Sequence, residues 1–568
     1  MGRLGARAGK LRYQAAGITG TFLLGALPAA AQVAPPSLPS QGEISRERLT
    51  LPPVETPQFD LRIQAPEKSA VPKAIDAVQF EIRAVEVDGM TAFPRDQVDA
   101  FFTPLIGKKT GLAPVRDAAQ ALEDLYRKKG FFLSRVFIPP QQLENGTLKV
   151  TVIEGFIDNI VVEGLDGGAR KAVAAALQPL RTHHPIDLAS VERQLLVLND
   201  IPGISGTSVL RQGERLGASD LIVTLDSPAN TYAISVNNVG SRILGPWAYS
   251  ANGNFNRPLG IPGALNLGVS AGGRELRSVQ SASVRYSFAV GPQGLIASFG
   301  VLAAKARPQG SIRALDVRNN LLSLSARARY PLIRSRANSL FLEGGLSVNR
   351  SDTDVLGTPL SRDRTTVGDI GLIFQQNGWE NGATTISASV LHGLPILGAI
   401  DSASPLPSVL GFDQQFTRVT YSLQRVQRLP AHFSTLVSVQ GQYTRSKLLS
   451  GELISFGGPS IGRGFDPSAV TGDRGIGGLA ELRYDLALPS KLVYNAQLYG
   501  FFDGARATSI ATTAFPETTQ RIKSVGGGMR VYHRYGVVDV QGAYAIRKIG
   551  SADERPNPRA LVTATFIF

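Results

Sequence analysis

The C-terminal part of the chain, from about residue 230 onward, consists of short segments in which apolar and polar residues alternate. In the segment 493–503, the polar residues Asn495, Gln497 and Asp503 fall on one face of an extended chain, and Leu498 and Phe502 fall on the other. A period of two is typical of a β-strand with one polar and one apolar face. The pattern therefore predicts a C-terminal domain built from β-strands.

About sixteen such segments follow one another, and many have about the 9–11 residues of a tilted membrane strand. They are expected to begin near residues 230, 247, 262, 280, 293, 318, 338, 366, 383, 416, 432, 476, 493, 523, 536 and 558. A soluble sandwich also contains two-faced strands, but the number and regularity of these segments and the terminal Phe568 favour an outer-membrane barrel. We therefore predict a closed transmembrane β-barrel of about 16 antiparallel strands over residues 229–568, because an open edge in lipid leaves backbone groups unpaired.

Helical periodicity occurs upstream of the barrel, between residues 78 and 228. The first part predicts a strand at 80–87, a helix at 115–129 that Gly130 ends, strands at 131–138 and 148–153, and a tight hairpin turn at Asn145-Gly146. A second set of elements is expected in the same order: a strand at 157–162, helices near 169–180 and 188–199, and strands at 206–212 and 220–226. These patterns predict two α+β units, 78–155 and 156–228.

The N-terminus carries an export signal and a linker. Residues 1–31 combine a basic start, a short apolar stretch and the Ala29-Ala30-Ala31 cleavage pattern, which together predict a signal peptide. Residues 32–77 are Pro-rich, which is typical of an extended linker, and 43–51 is a candidate short plug helix within it. The mature chain is therefore expected to leave the cytoplasm.

Composition excludes several kinds of chemistry. The chain has no cysteine, so disulfides and thiol catalysis are excluded. The net charge of +14 comes from Lys and Arg residues that are scattered along the chain. For an exported protein we interpret this charge as contact with anionic lipid and as lining for a polar interior, and we expect no nucleic-acid partner.

A long Gly-rich loop, residues 447–476, separates the eleventh and twelfth predicted strands. An open pore of this width would leak solutes, so we expect the loop to fold back into the lumen. Arg463 near its centre would then need a carboxylate, because a buried unpaired guanidinium is strongly unfavourable. Asp503 on the polar face of the thirteenth strand is the first candidate partner, and Asp473 and Glu481 are the alternatives.

The loop resembles the inward-folded sixth extracellular loop of the Omp85 superfamily, whose hallmark is a (V/I)RG(F/Y) tetrad followed by a G-D-x-G element. The matching residues are Gly462, Arg463, Gly464 and Phe465, then Gly472, Asp473 and Gly475. Phe501, Asp503 and Gly504 match the element of strand thirteen whose Asp pairs with the tetrad Arg in that superfamily. Gly462 stands where the family often has Val or Ile, so packing at the loop base is expected to differ.

The upstream units resemble the POTRA domains of two-partner secretion transporters (TpsB, haemolysin secretion/activation type). The resemblance is carried by Gly130, Pro139, Gln141, Gly146, Glu154 and Gly155. With the barrel motifs, it covers nearly the whole mature chain in the right order. Two POTRA-like units suit TpsB, whereas barrel-assembly insertases usually carry more.

Other constellations predict little. Gly458-Pro459-Ser460-Ile461-Gly462 matches the G-x-S-x-G pattern of serine hydrolases. That chemistry needs a strand-turn-helix elbow, a His and an acid, and no helical pattern follows the segment. His183-His184 has no further ligand at metal-binding spacing. We therefore expect no enzyme activity, no metal and no cofactor.

The resemblance implies an outer-membrane transporter with its POTRA domains in the periplasm. It implies capture of an unfolded, secreted TpsA-like exoprotein through that partner's N-terminal secretion domain, and transport to the surface without ATP. Outer-membrane lipid is a further expected partner, as are periplasmic chaperones and the barrel assembly machinery during biogenesis. An insertase of the same superfamily and a passive porin remain the alternatives.

Overall fold

The structure is a computed structural model of the 568-residue chain. It describes residues 61–63 and 79–568, except for 166, 242–243, 259, 261, 309, 487, 489–492, 513–515 and 547–557. The expected signal peptide at 1–31 and the candidate plug helix at 43–51 lie outside the described residues.

The first periplasmic unit packs two helices on a small sheet. A short strand, β1 (Leu61–Ile63), precedes this unit and joins the sheet of the next one. The elements of the first unit are β2 (Phe80–Glu81), β3 (Ala84–Asp88), α1 (Arg95–Asp99), β4 (Lys109–Thr110), α2 (Leu112–Lys128), β5 (Arg135–Phe137) and β6 (Thr147–Ile153). The sheet has the order β3-β6-β5, with β3 parallel and β5 antiparallel to β6. The apolar face of α2 buries Val115, Leu122 and Tyr126 against it.

The turn before β6 differs from the prediction. A tight hairpin at Asn145-Gly146 is wrong, because β5 ends at Phe137 and β6 begins only at Thr147. The two residues instead adopt left-handed backbone angles, with φ of 53° and 78°, and direct the chain into β6.

The second unit repeats this topology. Its elements are β7 (Phe156–Gly164), α3 (Gly167–Leu177), α4 (Pro179–Thr182), α5 (Leu188–Asn199), β8 (Ser205–Gln212) and β9 (Ala218–Asp226). Asp187 starts α5 by accepting a hydrogen bond from the N–H of Ser190 at 2.9 Å. The sheet order is β1-β8-β9-β7, so the short strand β1 has added itself in parallel to the edge of β8.

Sixteen antiparallel strands close into a barrel, which confirms the predicted fold class. They are β10 (Thr231–Asn237), β11 (Ala248–Asn256), β12 (Ala264–Gly272), β13 (Val279–Val290), β14 (Leu295–Ala306), β15 (Arg318–Arg334), β16 (Asn338–Val355), β17 (Thr358–Asn377), β18 (Gly382–Gly393), β19 (Thr417–Arg428), β20 (Phe433–Thr444), β23 (Arg474–Leu486), β24 (Val493–Ser509), β25 (Thr518–His533), β26 (Gly536–Ala545) and β27 (Arg559–Ile567). A separate hairpin, β21 (Ile454–Phe456) and β22 (Val470–Gly472), lies in the long loop. Only the eighth and fourteenth strands begin more than two residues from the predicted positions.

The barrel closes where its first and last strands pair, from Ala233 opposite Ile567 to Asn237 opposite Thr563. Side chains alternate as predicted: Leu482 and Phe502 are exposed on the outer wall, while Glu481 is buried inside. None of the described helices is long and apolar enough to cross a membrane.

Ion pairs seat the second unit on the barrel rim. The guanidinium of Arg334, at the end of β15, binds the carboxylate of Asp200 through two contacts of 2.6 and 2.7 Å. Glu192 of α5 accepts hydrogen bonds from the main-chain and side-chain nitrogens of Arg336. Arg193 donates to the carbonyl of Pro331 at 3.2 Å. These contacts fix the second unit against the turn between β15 and β16.

Candidate functional site in the barrel lumen

The long loop, residues 445–473, folds into the lumen and forms an apolar cluster there. Its hairpin and neighbouring segment contribute Ile454, Phe456, Ile461 and Val470. The inward faces of the barrel strands contribute Leu436, Leu479, Tyr499, Phe501, Ala507, Ile522 and Ala543. Burial of apolar side chains from both sides stabilises the inward position of the loop.

Arg463 lies at the inner end of the loop and is 5% exposed. Its guanidinium faces Glu481, with 3.3 Å between Nη1 and Oε1, and lies over the ring of Phe501 at 4.4 Å from the centroid. A guanidinium over an aromatic ring gains a cation–π attraction in addition to its ion pair.

Asp503, the first candidate partner of the guanidinium, binds the loop in another way. Its Oδ2 accepts the main-chain N–H of Arg463 at 3.2 Å, and its Oδ1 accepts the hydroxyl of Ser524. Asp503 is paired with Leu479 in the sheet, and Glu481 lies two residues nearer the periplasmic end of that strand. The main chain of Arg463 lies level with Asp503. The long side chain of Arg463 therefore extends past Asp503 and reaches Glu481.

Glu481 is the centre of a buried charge network that the sequence did not predict in full. Besides Arg463, it binds Arg483 at 2.8 Å and Arg530 at 2.7 Å. Arg530 also binds Asp539 at 2.9 Å, so three guanidinium groups share two carboxylates. The only signal for Arg530 is its position on the inward face of an alternating strand, which does not say which distant residue it meets.

The tetrad forms a tight turn against the wall. Phe465 donates its N–H to the carbonyl of Gly462 at 2.9 Å, and its own carbonyl accepts a hydrogen bond from Arg559 on the last strand. A Cβ on Gly464 would lie 2.7 Å from the main-chain nitrogen of Ala545. Glycine is therefore required for the turn to approach the strands so closely.

Gly462 shows why this chain departs from the Val or Ile of the family pattern. Its φ is +90°, and a Cβ would lie 2.5 Å from Cδ1 of Ile522. A β-branched residue is strongly disfavoured at such a backbone angle. The loop base is thus packed by Ile522 of the wall instead of by a side chain at position 462.

Asp473 ties both ends of the loop together. Its carboxylate accepts hydrogen bonds from Lys447 Nζ at 2.9 Å, from Leu448 N at 2.8 Å and from Ile510 N at 2.7 Å. Its partner is therefore Lys447, and not Arg463. The flanking glycines serve packing: a Cβ on Gly472 would lie 2.6 Å from the carbonyl of Thr508, and one on Gly475 2.7 Å from the carbonyl of Arg506.

A second buried ion pair, absent from the sequence-based expectations, anchors the outer part of the loop. Arg418 on β19 and Glu452 in the loop are both 1% exposed and pair through their side chains. Gln442 accepts from Arg418 at 2.6 Å and donates to the carbonyls of Glu452 and Asp473, both at 2.9 Å. The loop is therefore fixed at two levels of the lumen.

Two further residues of the sequence motifs, Gly504 and Ser460, take no part in these lumen contacts. Gly504 faces outward on β24, beside Lys523, and so takes no part in the lumen. Ser460 is exposed within the irregular part of the loop, where no strand-turn-helix elbow surrounds it.

The POTRA motif residues hold the first periplasmic unit together. Glu154 accepts hydrogen bonds from the N–H groups of Thr91 and Ala92 and from the hydroxyl of Tyr126, at 2.7, 2.8 and 2.7 Å respectively. Burial alone would raise the pKa of Glu154, but these hydrogen bonds outweigh it and the pKa is lowered. Burial, with the hydrogen bond to Glu154, raises the pKa of Tyr126.

Gln141 and three glycines complete this scaffold. The side chain of Gln141 exchanges two hydrogen bonds of 2.7 Å with the main chain of Lys149 and also donates to the carbonyl of Pro139 at 3.3 Å. Gly130 ends α2 with a φ of +94°, and a Cβ on Gly155 would lie 2.4 Å from Cβ of Leu133. Gly146 provides the left-handed angle before β6.

Comparison with known protein families matches residues 217–531 to the haemolysin secretion/activation protein family ShlB/FhaC/HecB, over more than half of the chain. The chain belongs to this family. Residues 80–155 match the ShlB-type POTRA domain. Members of the family are two-partner secretion (TpsB) transporters of the outer membrane that act with secreted TpsA-like exoproteins, and the POTRA domains of Omp85 relatives are periplasmic.

Two curated relatives cover most of the chain. The heme/hemopexin transporter protein HuxB of Haemophilus influenzae (strain 86-028NP) is 22% identical over 86% of this chain and 88% of the relative. The hemolysin transporter protein HpmB of Proteus mirabilis is 24% identical over 72% of each chain.

Solved structures share the fold. CdiB from Escherichia coli superposes with a TM-score of 0.70 at 19% identity, over 89% of this chain and 93% of that chain. BamA from Haemophilus ducreyi lacking POTRA domains 1–3 gives a TM-score of 0.52 at 13% identity, over 86% and 100%.

Proposed function

We propose that this transporter captures one dedicated, unfolded exoprotein at its periplasmic units and passes it through the barrel to the cell surface. The exoprotein is TpsA-like and is recognised through its N-terminal secretion domain. No nucleotide is used, because folding of the exoprotein outside the cell prevents its return. The observation that carries this proposal is a sheet edge in the first unit that is positioned to receive an added strand.

Both periplasmic units place the same strand at a sheet edge beside a long helix. In the second unit this strand is β8 beside α5, and it already carries β1 as an added parallel strand. In the first unit it is β5 beside α2, and among the described residues β5 pairs only with β6. Strand addition needs backbone hydrogen bonds alone, so it suits an unfolded client.

A carboxylate covers the free edge of β5. The N–H of Val136 faces away from β6 and donates to Oε2 of Glu123 on α2, at 3.2 Å. Glu123 also binds Arg127 at 2.9 Å, and Arg135 lies 3.6 Å away. Side chains that cover edge groups protect a sheet against unspecific pairing. A client strand would displace Glu123 and take its hydrogen bond.

The lumen supports passage of an extended polypeptide. Its wall carries a charge network of arginines and carboxylates around Glu481, and further hydrogen-bonding residues line β16, including Ser347 and Asn349. These side chains are buried in this structure, and the loop packs an apolar cluster beside the Glu481 network, so the polar wall is open to a moving chain only once the loop has moved. The loop anchored at Arg463 and Arg418 fills part of this space and must yield or rearrange during export.

The test compares secreted and outer-membrane proteomes of the source bacterium with and without this gene. We expect the loss of one large exoprotein with the other outer-membrane barrels unchanged. A general decrease of barrels would instead identify an insertase, and no change in either fraction would favour a porin.

The edge itself is tested by Val136→Pro, which removes the outward N–H at a position where an edge strand tolerates proline. Glu123→Gln is the matched control, since it weakens the cover and leaves the edge in place. We expect binding of the exoprotein's N-terminal domain to full-length transporter to fall only with Val136→Pro. Equal binding by Val136→Pro and the unaltered protein would contradict capture at this edge.

A further inference from the structure

A basic surface lies on the outer wall of the barrel at the end opposite the periplasmic units. It comprises Arg474 on β23, Arg506 on β24, Arg521 and Lys523 on β25, and Arg445 just after β20. Their neighbours Asp503, Ile522 and Ser524 are buried, so by alternation Arg506, Arg521 and Lys523 point outward. We call these five residues the basic rim.

The strand register concentrates charge within the basic rim. Arg506 on β24 is directly opposite Arg521 on β25, and Lys523 is opposite Gly504. Like charges directly opposite in a sheet destabilise the pairing. Gly504 has no side chain, so the stem of Lys523 can lie across it; a Cβ there would be 3.4 Å from Cγ of Lys523.

Four of the five basic-rim residues form no ion pair with the part of the chain that the structure describes. Among the described residues, only Arg474 of the five forms an ion pair, with Glu517 at 2.8 Å. The outer wall of β15–β17 differs at the same end of the barrel. There Arg318 pairs with Asp316 at 2.6 Å, Arg350 with Asp352 at 2.7 Å, and Arg362 with Asp354. Among the described residues, these arginines on β15–β17 are thus neutralised by neighbouring carboxylates, whereas most of the basic rim is not, so its charge suits an external anion.

The height of the basic rim identifies its surroundings. Tyr494 is exposed on the outer wall near the periplasmic end of β24, as expected for the aromatic belt of a membrane barrel. Arg506 lies roughly 30 Å further along the barrel axis, allowing for a tilted strand that rises about 3.3 Å per residue. That distance equals the thickness of the hydrocarbon layer, about 30 Å, so Arg506 reaches the headgroups of the outer leaflet.

We infer that the basic rim binds the phosphate groups of an anionic glycolipid in the outer leaflet. Arginine suits this ligand because its planar fork donates two parallel hydrogen bonds to one phosphate. A phosphate between Arg506 and Arg521 would relieve their repulsion. Bound lipid would hold the strands β23–β25, which carry the wall partners of the inward loop.

The experiment titrates the purified full-length protein in detergent with bisphosphorylated lipid A and counts bound lipid by native mass spectrometry. The test variant is R506Q/R521Q/K523Q, and the matched control is R318Q/R350Q/R362Q, which removes the same charge from the opposite side. We expect binding to the test variant to weaken on the order of 100-fold, since each basic residue near an anionic lipid surface contributes about a factor of five. The control should bind within about two-fold of the unaltered protein.

Two results would overturn the inference. One is equal lipid binding by the test variant and the control. The other is displacement of lipid A by inorganic phosphate at equal concentration, which would identify a site for the free anion. Folding is monitored by the shift of the heated barrel on gels; should the triple variant fail to fold, R521Q alone, which removes the like-charge pair, carries the same test.

Discussion

The guanidinium of Arg463 and the carboxylate of Glu481 meet inside the barrel, with 3.3 Å between Nη1 and Oε1. The same arginine gives its main-chain N–H to Asp503 at 3.2 Å. The loop is therefore held by its backbone on one strand and by its side chain on the neighbouring strand. The main-chain contact with Asp503 anchors the loop, and the ion pair with Glu481 balances the buried charge of the guanidinium.

Glu481→Gln should destabilise the barrel. The change leaves three buried guanidinium groups with one carboxylate, and breaking a buried pair costs about 3–5 kcal/mol. The temperature at which the folded barrel unfolds on gels should fall clearly. Glu517→Gln is the control, because that carboxylate pairs with Arg474 at the exposed surface and should cost at most about 1 kcal/mol. Equal effects of both changes would contradict the central role of Glu481.

Arg463→Ala should reduce export of the exoprotein and leave barrel assembly largely intact. Two guanidinium groups and two carboxylates remain, so the buried charge is balanced. Arg483→Ala is the matched control, since it removes another guanidinium from the same carboxylate without touching the loop. Export measured in culture supernatants should fall for Arg463→Ala only. Normal export by this variant would refute the role of the loop contact.

Gly462→Val should displace the loop although it restores the residue common in the family pattern. The position has a φ of +90°, and the new Cβ would lie 2.5 Å from Cδ1 of Ile522. Strain of this kind costs about 1–3 kcal/mol. Proteases added to intact cells should then cleave the loop faster. The double variant G462V/I522A should recover only part of the protection, because it removes the clash and leaves the backbone strain.

Glu154→Gln should destabilise the first periplasmic unit at neutral pH. The pKa of this carboxyl is lower in the folded state than in the unfolded state. The ionised carboxylate therefore stabilises the fold at pH values above the unfolded pKa, about 4.3, and this stabilisation is lost as the pH falls through the lower pKa of the folded state. The α-helices of the described residues all lie in the periplasmic units, so urea unfolding can be followed by circular dichroism at the α-helix band. We expect a loss of about 1–2 kcal/mol at pH 7. The difference between variant and unaltered protein should shrink as the pH falls from 7 towards 3.5; a constant difference would contradict this assignment.

Arg334→Ala should loosen the seat of the second periplasmic unit. It removes the paired contacts with Asp200 that join α5 to the barrel rim. The chain has no cysteine, so the double variant Ala189→Cys/Ala337→Cys carries spin labels at these two positions and nowhere else. The distribution of distances between them should broaden with Arg334→Ala. It should stay narrow with Arg181→Ala, a control on the same unit whose guanidinium contacts only that unit.

Alternation along the chain determined most of the barrel. Fourteen of the sixteen strands begin within two residues of the predicted positions, because lipid outside and water inside impose a period of two that each strand shows by itself. The start of strand β17 was predicted too late, because Ser361, Arg362 and Asp363 make both of its faces polar there and the sequence shows no apolar face. The hairpin at Asn145-Gly146 was wrong because two residues with left-handed angles also occur at the end of a longer loop.

The loop motif predicted that Arg463 needs a carboxylate partner. Only the tertiary structure identified Glu481 as that partner. Asp503, Asp473 and Glu481 all carry the right charge, but the choice depends on register between strands and on how far the side chain extends past its own backbone. The pair Arg418–Glu452 and the ion pairs of Arg530 join residues that are far apart in the sequence. No local sequence pattern therefore predicts them. The sequence by itself therefore determined which residues face lipid or water, since that is a property of each strand, whereas the partners inside the lumen follow from the closure of the barrel.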